Sequence, residues 1–119
     1  MKRNVELYIK DILEYMERAE KHIEGLIFEE FLKDNKTCDA VIRCIEVIGE
    51  ATKNIPDEIR NKYLSIPWRD MAGMRDKIIH GYFTVDFETV WLVVREEIPR
   101  LKPMIMMVSE DLEKEILKG

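Results

Sequence analysis

An all-α bundle is the fold class this sequence predicts, and three observations predict it. Apolar residues recur at threes and fours along most of the chain. The composition is helix-leaning, 46% hydrophobic and 36% charged with five glycines and four prolines. No run shows a convincing strand alternation. At 119 residues the chain is expected to be one domain, 1–119, large enough for its own core and without a repeat or low-complexity linker. The expected architecture is an up-and-down bundle of four main helices plus one short helix.

The first helix is expected from near Asn4 to Leu26, because Val5, Tyr8, Ile9, Ile12, Met16, Ala19, Ile23 and Leu26 share one stripe. FLKDNKT interrupts it, and Thr37 or Asp39 supplies the cap of a second helix. That helix carries Val41, Cys44, Ile45, Ile48, Ala51 and Ile55 on its apolar stripe, with Glu46, Glu50 and Lys53 off it. Gly49 inside it costs roughly 1 kcal/mol relative to alanine, which a close helix crossing would explain. Pro56 ends the second helix, and DEIRNKYL forms a short third.

Pro67 suits the first position of a fourth helix, PWRDMAGMRDKIIH, which Gly81 is placed to terminate. Asp86 caps the last helix, whose Phe87, Val90, Trp91, Val94, Ile98, Leu101, Ile105, Val108, Leu112 and Ile116 keep helical period. Pro99 and Pro103 are expected to kink it. Met104, Met106 and Met107 on that helix are expected as core filler, with a self-association surface as the alternative.

A formal charge of −5 argues against a strong nonspecific nucleic-acid binder but is compatible with a local basic cleft. Cys38 and Cys44 would lie about 9 Å apart along a helix axis, too far for an easy disulfide. Their spacing is no zinc pattern either, so two free thiols in a reducing cytosol are expected. The opening MKRNVELYIKDILEYMERAE has acidic residues interrupting its apolar runs, unlike a signal peptide, and no stretch approaches a membrane span. The expectation is a cytoplasmic protein without a membrane partner.

The chemistry concentrates in RDKIIHGY, residues 75–82. On an ideal wheel, Trp68, Met71, Ile78, Ile79 and Tyr82 fall within about 60° of Arg75, which places the arginine in the apolar stripe. A cation there needs a carboxylate or a wet cleft, and Glu46 and Glu50 are the candidate partners. His80 points roughly 140° away, near Asp76, whose carboxylate would orient its ring. One straight helix cannot easily aim Arg75 and His80 at one point, whereas a symmetric dimer can bring two copies together. The plainer reading makes Arg75 a salt-bridged core cation and His80 a C-cap favoured by the helix dipole. His22, with nothing convergent nearby, is expected to be a solvated surface residue.

RDKIIHGY resembles the R-x4-H-x-Y form of the HEPN domain signature. YIKDILEYME resembles the opening helix of the HepT-like branch, DAVIRCIEVIGEATKNIP its second helix, and IPWRDMAGMRDKIIHGYFTVDFETVW its core. Asp76 stands where HEPN proteins often carry asparagine. The resemblance implies a toxin of a two-component toxin–antitoxin system, acting as a metal-independent endoribonuclease. It implies a homodimer in which Arg75 and His80 of both subunits line a shared cleft, with RNA as substrate. It also implies a minimal nucleotidyltransferase antitoxin that transfers AMP onto Tyr82, with ATP as that partner's substrate and no cofactor for this chain. Histidine would move the protons of 2′-hydroxyl attack, and arginine would hold the phosphate. The alternative is a non-catalytic helical module that binds the nucleotidyltransferase or a nucleotide.

Overall fold

Buried apolar stripes on three long helical stretches enclose the core, and the shorter elements carry the chemistry-bearing residues around it. In the computed structural model, residues 2–82 and 84–118 are described, with side chains over 5–82 and 84–115. Helix α1 spans Lys2–Ile23, α2 Phe28–Lys33, α3 Asn35–Lys53 and α4 Asp57–Lys62. They are followed by α5, Trp68–Ala72, and α6, Met74–Ile78. A hairpin of two short strands, β1 (Ile79–His80) and β2 (Thr84–Val85), leads to α7, Phe87–Leu92. A π-helical turn, Val93–Glu97, then joins α7 to α8, Ile98–Lys118. The all-α class holds, since the hairpin is the strand structure among the described residues.

Helix α1 buries Ile9, Ile12, Met16, Ala19 and Ile23 against α3 and α8, as its sequence stripe requires. It ends at Ile23, short of Leu26. Helix α2 was not expected within the interrupting segment. It seats fully buried Phe31, whose ring lies 5.3 Å from that of Trp91. The cap of α3 is Asp34 rather than Thr37 or Asp39. Its carboxylate accepts from the Thr37 amide at 3.0 Å and the Thr37 hydroxyl at 2.7 Å, so Thr37 is the residue being capped. Helix α4 is held at both ends: Arg60 donates to the Ile55 and Thr52 carbonyls, and the Tyr63 hydroxyl donates to Asp111 on α8.

Gly49 lies where a close crossing was expected. A Cβ there would stand 3.4 Å from the Ala72 carbonyl oxygen and 3.6 Å from that of Met71, so the C-terminal end of α5 rests on α3. The expected fourth helix is broken by Gly73 into α5 and α6, and it stops at Ile78 instead of running on to His80. Gly81, expected as the helix terminator, instead occupies the hairpin turn with φ +68°, a conformation that glycine adopts without steric cost.

Asp86 caps the last helical stretch as expected, accepting from the Thr89 amide and hydroxyl. The stretch is interrupted by the π-helical turn that immediately precedes Ile98 and Pro99. Pro99 has no N–H for the Arg95 carbonyl, and a locally wider turn accommodates that loss. Met106 and Met107 are exposed and Met104 half-buried, so the first two are not core filler. Leu101, Ile105 and Val108 fill that face of the core instead. The side chain of Ile116 lies outside the described residues.

Candidate active site

Helix α6 and the hairpin carry Arg75, Asp76, His80 and Tyr82, and all four side chains reach solvent. The core face of α5 and α6 is Trp68, Met71, Met74 and Ile78, each at most 5% exposed. Ile79 and Tyr82 do not belong to that face because the chain has already left the helix. Replacing them with Met74 shifts the centre of the stripe from roughly 12° to roughly 45° away from Arg75 on an ideal wheel. Arg75 is therefore at the flank of the stripe, with its side chain 53% exposed, and is not a core cation.

Arg75 pairs with Glu46, one of its two expected partners, at 3.6 Å between Nε and Oε2. It also meets Asp76 at 3.7 Å. Glu50 pairs with Lys53 instead, at 3.2 Å. Beside Arg75 a cleft of about 410 Å3 opens between α1, α3 and α6, lined by Tyr8, Asp11, Arg43, Glu46, Glu50 and Arg75 among others.

His80 is at the end of β1, opposite Thr84, and not on a helix. The Asp86 amide donates to the Ile78 carbonyl at 2.8 Å, so Asp86 continues the pairing one step beyond the strands. Alternation along the hairpin then puts His80 and Asp86 on the same side, as diagonal neighbours. The hydrogen bonds from Thr89 hold the Asp86 carboxyl below the usual carboxylate range, and the charge of His80 adds to that effect. The carboxylate on the same side of the hairpin as His80 is thus Asp86, in place of the expected Asp76, and no hydrogen bond or ion pair joins the two among the described residues. Asp76 projects into solvent beside Arg75. The order of residues alone conceals Asp86, because six positions separate it from His80 and only the hairpin turn brings the two together.

Among the described residues, no hydrogen bond or ion pair joins Arg75 to His80. The two side chains come from different kinds of element, linked through buried Ile78. Tyr82, at the hairpin turn, is 86% exposed, which replaces the expectation that it shares a helical face with Arg75. Lys77 anchors α6 to the π-helical turn through Glu97, at 2.8 and 2.9 Å. His22 is an exposed residue in the last turn of α1, as expected. Cys38 and Cys44 are buried, and burial pushes both thiols up, which makes them poor nucleophiles. No helix among the described residues is long and apolar enough to cross a membrane.

The family described as "Ribonuclease HepT-like" matches residues 12–108, a span that includes Arg75, His80 and Tyr82. The chain belongs to the HepT-like ribonuclease family. It is 51% identical over 102 residues to a probable ribonuclease HepT of Thermococcus cleftensis, covering 86% of this chain and 93% of that protein. A candidate RNase of Methanocaldococcus jannaschii is 46% identical over 112 residues, covering 94% of this chain and 93% of its own. A candidate RNase of Caldanaerobacter subterraneus is 43% identical over 108 residues, covering 91% and 94%. No solved structure gives a significant match.

Proposed function

We propose that this HepT-like protein is a metal-independent endoribonuclease toxin, with Arg75 and His80 as its catalytic pair. The observation that carries the reading is the exposure of both side chains, on α6 and the adjoining hairpin, in a chain of a ribonuclease family. His80 takes the proton of an RNA 2′-hydroxyl as its oxygen attacks the adjacent phosphorus. Arg75 holds the non-bridging oxygens and stabilises the charge of the pentacoordinate transition state. The P–O5′ bond breaks and the departing oxygen takes a proton, leaving a 2′,3′-cyclic phosphate and a 5′-hydroxyl. A homodimer supplies the second histidine as acid and gathers two arginines around one phosphate. Asp76, beside Arg75, modulates the charge that the phosphate meets.

Tyr82 is the proposed point of control. Its 86% exposure on a turn leaves the hydroxyl accessible to a nucleotidyltransferase antitoxin. The phenol oxygen attacks the α-phosphorus of ATP, pyrophosphate leaves, and the tyrosine carries AMP. That added phosphate, two residues from His80, competes with RNA for the cations of the site.

The test is expression of wild type, His80→Ala and Arg75→Ala, with growth and RNA integrity followed in parallel. Purified protein is assayed with a chelator present, and product ends are analysed for cyclic phosphate. Each substitution is expected to reduce cleavage by about 100-fold or more, on the order of what one acid–base or electrostatic group contributes. Intact wild-type protein that leaves RNA whole would sink the enzyme reading and favour the non-catalytic module. Incubation with the antitoxin and ATP should add AMP-sized mass to wild type and none to Tyr82→Phe.

A further inference from the structure

The cleft beside Arg75 has a lining that the cleavage chemistry leaves unused. Its volume, about 410 Å3, lies within the range of small-molecule sites. Half-buried Tyr8 from α1 faces it, and half-buried Val47 and buried Ala51 from α3 supply apolar surface. Asp11, Glu46 and Glu50 set three carboxylates against the guanidinium groups of Arg43 and Arg75. That balance disfavours a phosphate inside the cleft while leaving Arg75 at its edge to hold one. The lining suits a flat neutral ring that carries N–H donors on one side.

We propose that this cleft is a nucleobase subsite selecting guanine, in the nucleotide whose phosphate rests on Arg75. The proposal rests on the RNA-cleaving reading for its placement of phosphate at Arg75. Among the four RNA bases only guanine presents two N–H donors side by side, at N1 and N2, matching the two oxygens of one carboxylate. Uracil, cytosine and adenine each place an acceptor beside their donor, and that acceptor meets the carboxylate repulsively.

Glu46 is the carboxylate placed for this role. Its 3.6 Å separation from Arg75 is an ion-pair distance longer than a hydrogen bond, so its oxygens retain acceptor capacity while their position is biased. Two parallel charge-assisted hydrogen bonds would fix the guanine edge. Tyr8 offers the aromatic face on which an unstacked RNA base can lie. Glu50, drawn outward by Lys53, forms the polar rim.

The experiment is calorimetric titration of the full chain with the four nucleoside 3′,5′-bisphosphates, which carry a phosphate on either side of the base. Wild type should bind the guanosine compound about 10-fold or more tightly than the others, the scale of one bidentate base contact. Glu46→Gln exchanges one acceptor oxygen for an amide donor at a part-exposed position. It should keep an unchanged thermal melt and lose most of the preference. Equal affinity for all four compounds, no binding of any, or an undiminished preference in Glu46→Gln overturns the proposal. A guanosine preference in a protein that leaves RNA intact upholds the subsite while the ribonuclease reading fails. Cleavage of RNA without any guanosine preference removes the subsite alone.

Discussion

Replacing Gly49 tests the contact that seats the active-site segment on the bundle. Gly49 lies inside α3, where glycine is less favourable than alanine by about 0.5–1 kcal/mol. Against that gain stands the approach of α5. A new Cβ would lie 3.4 Å from the Ala72 oxygen and 3.6 Å from the Met71 oxygen, both ordinary van der Waals separations. Alanine therefore fits without moving α5, and Gly49→Ala should be stabilising by up to about 1 kcal/mol. Valine adds two methyl groups within a helix that allows its side chain essentially one rotamer. The facing atoms are backbone carbonyls of a helix whose Met71 side chain is fully buried, so they cannot swing aside. Overpacking of this kind costs about 1–3 kcal/mol, and Gly49→Val should lose that much. Urea melts at constant m-value separate the two variants. Cleavage activity should survive in Gly49→Ala and fall in Gly49→Val, because α5 passes directly into the helix that carries Arg75. A valine variant as stable as the alanine variant would refute the close crossing.

Two further outcomes follow from other contacts. Burial, and then the hydrogen bond to Asp111 at 2.7 Å, push the Tyr63 hydroxyl up to about 12. A raised folded pKa means this contribution is complete below the ordinary value of about 10 and is lost as pH climbs from there through about 12. Tyr63 should therefore give a late ionisation step in an ultraviolet titration. Tyr63→Phe should delete that late step and cost about 1 kcal/mol; an unchanged late step would assign it to another residue. A Cβ added at Gly81 would meet nothing within 4 Å, so Gly81→Ala carries only the strain of φ +68°, on the order of 1 kcal/mol. In thermal melts of both variants Gly81→Asn should lose less than Gly81→Ala, since asparagine tolerates that conformation, and equal losses would remove the backbone explanation.

The period of apolar residues located the long helices well because their buried faces leave little freedom. Ile9, Ile12 and Met16 on α1, and Ile45 and Ile48 on α3, are fully buried where the stripes required. Gly49 was readable for a related reason: its helix cost demanded a compensation, and a neighbouring backbone supplies the close contact. The segment after Gly73 was harder, because helical period was carried past the point where the helix ends. Ile79 stays partly buried in a strand and so mimics a helical core position. Including it together with Tyr82, and leaving out Met74, pulled Arg75 into the core on the wheel. The placement of Asp86 on the same side as His80 depends on a hairpin of two-residue strands, too short for alternation to register. The residues of the candidate site were readable through the spacing of Arg75, His80 and Tyr82, whereas their local geometry was not.

That geometry gives the two proposed catalytic residues separate supports. Arg75 depends on α3 twice, through the Gly49 contact that seats α5 and through the Glu46 ion pair. His80 depends on the hairpin, which is fastened where the Asp86 amide meets the Ile78 carbonyl. The supports meet at Ile78, which is fully buried, ends α6 and stands between the two side chains in sequence. A substitution on α3 can therefore disturb the arginine without directly loosening the histidine, and a change at Asp86 can do the reverse. An ideal helix would have fixed the two at roughly 140° to each other. Ending the helix at Ile78 removes that constraint, so the need for a second subunit no longer follows from wheel geometry. The second subunit belongs instead to the proposed chemistry, in which one histidine accepts a proton and its mate donates one.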